Sequence, residues 1–417
     1  MKKLLIFLLF TSSIIAETLT LEDCYKLAYS SSPLVMSNKY YSKMKSIKSE
    51  SASSAYYPDF NISAQAKYQS DVLQLPIKLP TLTIPEIPKD NYQILLNVNQ
   101  LIYDGSAVNS QKNLFEKQFD VDNSNVEIEL YKLRERINGV FFGALQLQER
   151  IKILNNTKDD LDEKIRDLTS KIDNGVALQS NKDYLLSEKI KIESNIFELQ
   201  NNIKSFVLML SKLINQNLSN DVKLSYNDEN KIPELNFSDR KEFKAFNSTK
   251  ELLKANKDVV DSKYLPKVSA FLQAGYGKPG LNMFDPDFQP FYIAGLRASW
   301  SPWSWGNQDR EKELLDVQSE MVKIQEDNFK LNIEILSLQD KNEIEKTINY
   351  LKSDDQIIEL KKTVLKVSES KFNNGIITGM EYFNDLTSLK QAELNKALHK
   401  IDLVKYINSY KTTLGEK

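Results

Sequence analysis

The sequence predicts a mainly helical chain with a small amphipathic membrane β part, written as a tandem repeat of helix, two strands and a long helical hairpin. Three observations predict it. Apolar residues recur at steps of three and four over very long stretches. Four shorter runs alternate with a period of two. One turn, "KIDNGVALQSNKDYLLSEK" from Lys171, returns two hundred residues later as "KFNNGIITGMEYFNDLTSLK" from Lys371.

The chain has 417 residues, a net charge of −2 and a mean hydropathy of −0.43. That balance indicates neither a nucleic-acid-binding surface nor a helical membrane bundle. Its beginning, "MKKLLIFLLFTSSIIAETLT", has two lysines, a short apolar run and small residues up to Ala16, the layout of a signal peptide spanning 1–16. Cys24 is the only cysteine, so no intrachain disulfide staples an exported chain, and stability comes from packing or assembly. The acids of "LEDC" argue against lipid attachment, and a small buried helix residue is expected there.

The first repeat covers 17–216. Helices open at Thr20 and close near Tyr56. Strands follow at about 57–69 and 91–102: Phe60, Ile62, Ala64, Ala66 and Tyr68 share one face, and Tyr92, Ile94, Leu96 and Val98 another, with Leu95 intruding. A Pro-rich loop with Pro76, Pro80, Pro85 and Pro88 joins them. A helix from about Ser106 to Ile172 carries a heptad seam, Leu130, Leu133, Ile137, Val140, Ala144, Leu147, Ile151, Leu154, Leu161, Ile165, Leu168 and Ile172. At 1.5 Å per residue it is on the order of 100 Å long. The returning helix has its own seam, clearest from Ile192 to Leu213.

A polar linker at 217–238 precedes the second repeat, 239–417. A helix runs from about Asp239 to Lys263. Strands at about 265–277 and 290–302 align Val268, Ala270, Leu272, Ala274 and Tyr276, then Tyr292, Ala294, Leu296, Ala298 and Trp300, with Phe271 and Ile293 breaking the alternation. Arg297 stands on the wet side, lumen-lining or loop-facing. The next seam is Leu314, Val317, Met321, Ile324, Leu331, Ile335 and Leu338, continuing less regularly to Phe372.

The hairpin tips fall at about 173–181 and 373–380. Gly175 and Gly375 can take the left-handed conformation that ends a helix. Ser180 with Asp183, and Thr378 with Glu381, have the spacing of capping boxes that start the return helices.

Four amphipathic strands do not close a membrane barrel, which needs at least about eight. Two copies give eight, filled by their own side chains; three give twelve, with room for a lumen. Tyr57, Tyr68, Tyr276 and Trp300 suit interfacial aromatic girdles. A sandwich with one wet face alternates equally well, and the long hairpins favour the barrel. A soluble periplasmic coiled-coil scaffold or adaptor is the alternative of a different class.

Several stretches resemble the outer-membrane efflux proteins of the TolC type. "LTLEDCYKLAYSSSP" resembles that family's opening helix, "YYPDFNIS" and "YLPKVSAF" its helix-to-strand junctions, and "NQLIYDGSAVNSQ" its strand-to-helix junction. "GIITGMEYFNDL" resembles its second tip. The resemblance implies a homotrimer whose twelve-stranded barrel in outer-membrane lipid continues into a periplasmic α-helical barrel. It implies a passive exit duct, without catalytic activity or cofactor, served by an inner-membrane transporter and a periplasmic adaptor, for small-molecule efflux or type I protein secretion. The tips Gly175, Ser180, Gly375 and Thr378 would contact the adaptor. Acids on the second return helix would narrow the mouth and favour cations, with Glu381 matching the first position, Asn384 standing at the next and Asp385 beside it. Glu381 also fits a capping acid. The first tip departs from the second, with Leu178 where the second has Thr378 and its acid Asp183 eight residues beyond Gly175. "WSPWSWGNQ", from Trp300, is richer in Trp and Pro than the family's second junction.

Chemistry elsewhere is sparse. His399, the only histidine, sits near Lys396 and Lys400 and reads as a solvated helix face. With one His and one Cys, no conventional transition-metal site is expected. Acids such as Asp159, Asp160, Asp162, Glu163 and Asp167 read as a charged helix surface.

Overall fold

The computed structural model describes residues 18–73, 87–226 and 231–416, so the signal-peptide reading and Pro76, Pro80 and Pro85 lie outside the described residues. The chain divides into two compact units.

The first unit takes in the chain up to Ser37, Asn125–Phe243 and Asp327–Lys417. It opens with β1 (Leu19–Thr20) and α1 (Leu21–Ser31). Thr20 caps α1 in a capping box with Asp23, satisfying two amides that the helix itself cannot. Helix α1 ends at Ser32, which is extended because Pro33 follows. Helix α2 (Val35–Ser53) therefore starts afresh and from Asn38 onward belongs to the second unit, as does a single 3₁₀ turn, Ser54–Tyr56.

Helix α3 (Ala107–Asp173) and α4 (Gln179–Ile214) form the first hairpin, α6 (Asn307–Asn373) and α7 (Gly379–Leu414) the second. The α3 seam faces inward: Leu130, Ile137, Ala144, Leu161 and Leu168 are buried. The most buried side chains include two that the heptad steps omit, Phe141 and Phe142, which meet edge to face and pack with Cys24, Val207, Leu210 and Ile214. Cys24 is fully buried, and burial pushes its thiol up to about 12. A second core joins Leu161, Leu168, Leu185 and Ile192 to Phe372, Tyr382, Phe383 and Leu386, and a third gathers Ile344, Leu403, Ile407, Tyr410 and Leu414.

The seam expected on α6 faces the other way. Leu331, Ile335 and Leu338 are exposed, whereas Ile333 and Ile344 are buried. A heptad stripe seeks an apolar partner, and within one chain α6 meets its neighbours with a different stripe. The stretch expected as a polar linker also contributes structure: β4 (Leu224–Ser225) pairs in parallel with β1, Leu19 opposite Leu224. His399 stands on a partly exposed helix face, as expected, but with partners. Its Nδ1 lies 2.7 Å from Asp354 Oδ2, and its ring stacks on Tyr350.

The second unit comprises Asn38–Ser124 and Lys244–Glu326. It contains α5 (Lys241–Lys263) from Lys244 onward, and a four-stranded antiparallel sheet in the order β2 (Asp59–Tyr68), β3 (Asp90–Tyr103), β5 (Lys267–Lys278), β6 (Gln289–Ser299). The strand bounds shift by one to three residues from those expected, most at the end of β6, which stops before Trp300. Asp104, nearly buried, accepts the amides of Ser106 and Val108 at 2.9 and 2.7 Å and so starts α3 directly after β3. No described helix is long and apolar enough to cross a membrane.

Candidate functional site

Each hairpin tip ends its first helix in the same way. Gly175 donates to Ile172 O at 2.8 Å and Val176 to Lys171 O at 2.9 Å. Gly375 donates to Phe372 O at 3.0 Å and Ile376 to Lys371 O at 2.9 Å. This nested pair of bonds is the Schellman closure, and it requires the left-handed φ of +74° and +70° found at the two glycines. Val176 and Ile376 follow at the apex with about 70% of their surface exposed, 73% and 69%.

The return helices start differently. At the second tip Thr378 and Glu381 form the expected capping box: Glu381 Oε2 accepts from the Thr378 amide at 2.8 Å, and Thr378 Oγ1 accepts from the Glu381 amide at 3.3 Å. The Thr378 amide, then its hydroxyl, then the charge of Lys371 hold the Glu381 carboxyl below the usual glutamate range. The first tip departs from the expected Ser180–Asp183 box. Leu178 is the N-cap residue, with no side-chain cap, and Ser180 already lies within α4. The Asp183 carboxylate instead accepts from Gln179 Nε2 at 2.8 Å.

The two tips touch. Asn181 Oδ1 accepts the Gly379 amide at 2.9 Å and the Tyr184 and Phe383 rings meet edge to face, while within the second hairpin Phe372 stacks on Tyr382 at 5.1 Å. Lys164, mostly buried, bonds Glu369 at 2.8 Å and lies over the Tyr382 ring, while Lys390 pairs with Asp160 and Lys189 with Asp162. Two of the acids expected on a charged surface therefore tie helices together. Asp385, beside Asn384, accepts from Ser368 of α6 and is half-buried. Glu381 and Asn384 are exposed. Asn181, Lys164 and Tyr382 were not singled out by sequence, because their partners lie some two hundred residues away.

The sheet separates its chemistry by face. One face carries Phe60, Ile62, Tyr92, Ile94, Leu272, Tyr292 and Leu296, all exposed, and its only charges among the described strand residues are the mutually paired Asp90 and Lys278. Asn61, Gln65, Gln93, Asn97, Gln273 and Arg297 occupy the other. A chain that leaves large side chains exposed along a whole sheet face needs a cover for them. Among the described residues no group of three or more His, Cys, Asp or Glu could hold a metal.

Two tip-closed helical hairpins and a four-stranded amphipathic antiparallel sheet define the fold of TolC-type outer-membrane channels. Solved structures with this fold include CusC, in work on its folding and transmembrane channel formation, with a TM-score of 0.72, 9% identity and coverage of 95% of this chain and 92% of that one. The outer membrane protein VceC of Vibrio cholerae matches with a TM-score of 0.65 and 12% identity over 95% of this chain and 96% of its own. The CmeC outer membrane channel of Campylobacter jejuni matches at 0.65 and 12% over 95% and 85%. No family model and no curated protein matches the sequence.

Proposed function

We propose that the chain is one subunit of a homotrimeric outer-membrane channel, a passive exit duct for substrates delivered by an inner-membrane transporter through a periplasmic adaptor. The observation that carries this reading is the sheet: an exposed apolar face opposite a polar one, on four strands, suits one third of a shared barrel whose apolar band meets lipid. The exposed Leu331, Ile335 and Leu338 suit burial against a neighbouring subunit.

The tips are the proposed adaptor contact and mouth. Val176 and Ile376 offer apolar apices next to Gly175, Ser180, Gly375 and Thr378. Glu381 and Asp385 are the acids of the mouth, Glu381 exposed and ionised, Asp385 restrained by Ser368. A ring of such carboxylates favours cations by electrostatic focusing. Arg297 lines the lumen.

The test is the mass of the protein extracted by detergent from an isolated outer-membrane fraction, measured by light scattering with bound detergent subtracted. A trimer is expected. A monomer recovered from the periplasm without detergent overturns the duct in favour of a soluble scaffold. For the mouth, Glu381→Gln is expected to reduce cation preference in a planar bilayer, and unchanged selectivity removes Glu381 from that role.

A further inference from the structure

The residues that break the strand alternation are not scattered. The pairing register brings them onto the polar face in successive rungs: Leu95 opposite Gly275 opposite Phe291, Asn97 opposite Gln273 opposite Ile293, Asn99 opposite Phe271 opposite Gly295. The next rung holds Ser269 opposite Arg297.

The two glycines make the patch possible. A Cβ on Gly275 would lie 2.5 Å from the Phe291 ring and 2.7 Å from Leu95, and one on Gly295 would lie 3.1 Å from the Phe271 ring. Phe291 and Leu95 therefore meet above one bare backbone, and Phe271 lies across the other. The guanidinium of Arg297 sits 5.0 Å from the Phe271 centroid. The charges on this face among the described strand residues are Lys67, Lys267 and Arg297 against Asp59 alone. Flat rings beside a held cation, on a face with excess positive charge, match a planar apolar body carrying an anionic group.

We propose that Phe271, Phe291, Leu95 and Arg297 form a binding station for aromatic anions on the channel wall, one per subunit. This rests on the channel reading with the polar face turned inward. The rings stack the aromatic body, and Arg297, already oriented by Phe271, pairs with the carboxylate or equivalent anion. Binding is weak, as passage requires a site that a solute can leave. The station acts on organic solutes inside the barrel, whereas the acids of the tips act on small ions at the mouth.

The experiment is single-channel recording of the full-length protein in planar bilayers, with 2-naphthoate as probe and acetate and 2-naphthylmethylammonium as controls. Block by 2-naphthoate alone is expected. Arg297→Gln and Phe271→Ala are each expected to weaken it about tenfold, the loss of one charge pair or one stacked ring. Arg297→Gln changes an exposed side chain, so its result stands even if Phe271→Ala fails to assemble. Equal block by the naphthyl cation, or undiminished block in Arg297→Gln, overturns the station while conductance upholds the channel. A wild-type protein that never conducts overturns the channel, and the station with it.

Discussion

Asn181, in the first turn of one return helix, accepts the amide of Gly379, the first residue of the other, at 2.9 Å. A Cβ on Gly379 would lie 3.1 Å from the Asn181 carbonyl oxygen, so the glycine is what lets the two tips approach. Asn181→Ala is expected to lower protection of the Gly379 amide in hydrogen exchange by about fivefold, corresponding to about 1 kcal/mol for one lost hydrogen bond. Gly379→Ala, which crowds backbone rather than a pliable side chain, is expected to loosen the same contact by about 1–3 kcal/mol. Unchanged exchange in both variants would show that the tips hold together without this bond.

The cap of the second tip depends on pH with a definite sign. The folded Glu381 carboxyl lies below its ordinary value of 4.5, so the stabilisation is complete above that value and is lost as pH falls through the lower folded one. Exchange at the Thr378 amide, which the Glu381 carboxylate accepts, is expected to quicken on acidification in that window, beyond the intrinsic change; Glu381→Gln is expected to abolish the pH response, and Thr378→Ala, which keeps the amide and removes only the hydroxyl, to diminish it.

Leu161 and Leu338 sit on long helices with opposite surroundings, 0% and 67% exposed. Leu161→Ala is expected to cost about 2–5 kcal/mol whether or not the chain is assembled. Leu338→Ala is expected to leave the single chain's stability almost unchanged and, in the proposed homotrimer, to lower the midpoint of dissociation. An equal effect of Leu338→Ala on dissociated chains would place that residue in an intrachain core.

All three tryptophans, Trp300, Trp303 and Trp305, lie just beyond β6 with 63%, 72% and 82% of their surface exposed. Trp300 is anchored by its indole N–H to Tyr264 O at 3.0 Å, and Trp303 meets Trp305 edge to face. Such a group suits the membrane interface, where an apolar ring and a wet edge are both accommodated. In vesicles, intrinsic emission is expected to be quenched most by phospholipids brominated near the glycerol and least by those brominated at the chain end. Equal insensitivity to both would mean the strand end stays in water.

What was legible in the sequence follows from the range of the interaction. Period-two and period-three-to-four patterns are local, so both long hairpins, all four strands and the closing glycines could be read. The Thr378–Glu381 box is also local, spanning three residues. Ser180 and Asp183 matched the same spacing but lie two residues too far along, because Leu178 already occupies the cap position. The direction of the Leu331–Leu338 stripe was not legible, since a heptad states that a partner exists and not which one. The partner of His399 was not legible for a similar reason: its lysine neighbours are close in sequence, whereas Asp354 reaches it from α6. Leu95, Phe271 and Ile293 looked like separate irregularities until the register put them side by side.

Cys24 has a practical consequence. Its thiol is fully enclosed and its thiolate disfavoured, so the chain is already a cysteine-silent background for labelling reagents, which attack the thiolate. One added cysteine, for instance at Ile376 on the tip apex or Trp303 beyond β6, would become the only reactive thiol. Spin labels or fluorophores could then report spacing between identical positions of the subunits of the proposed trimer in an otherwise unmodified protein.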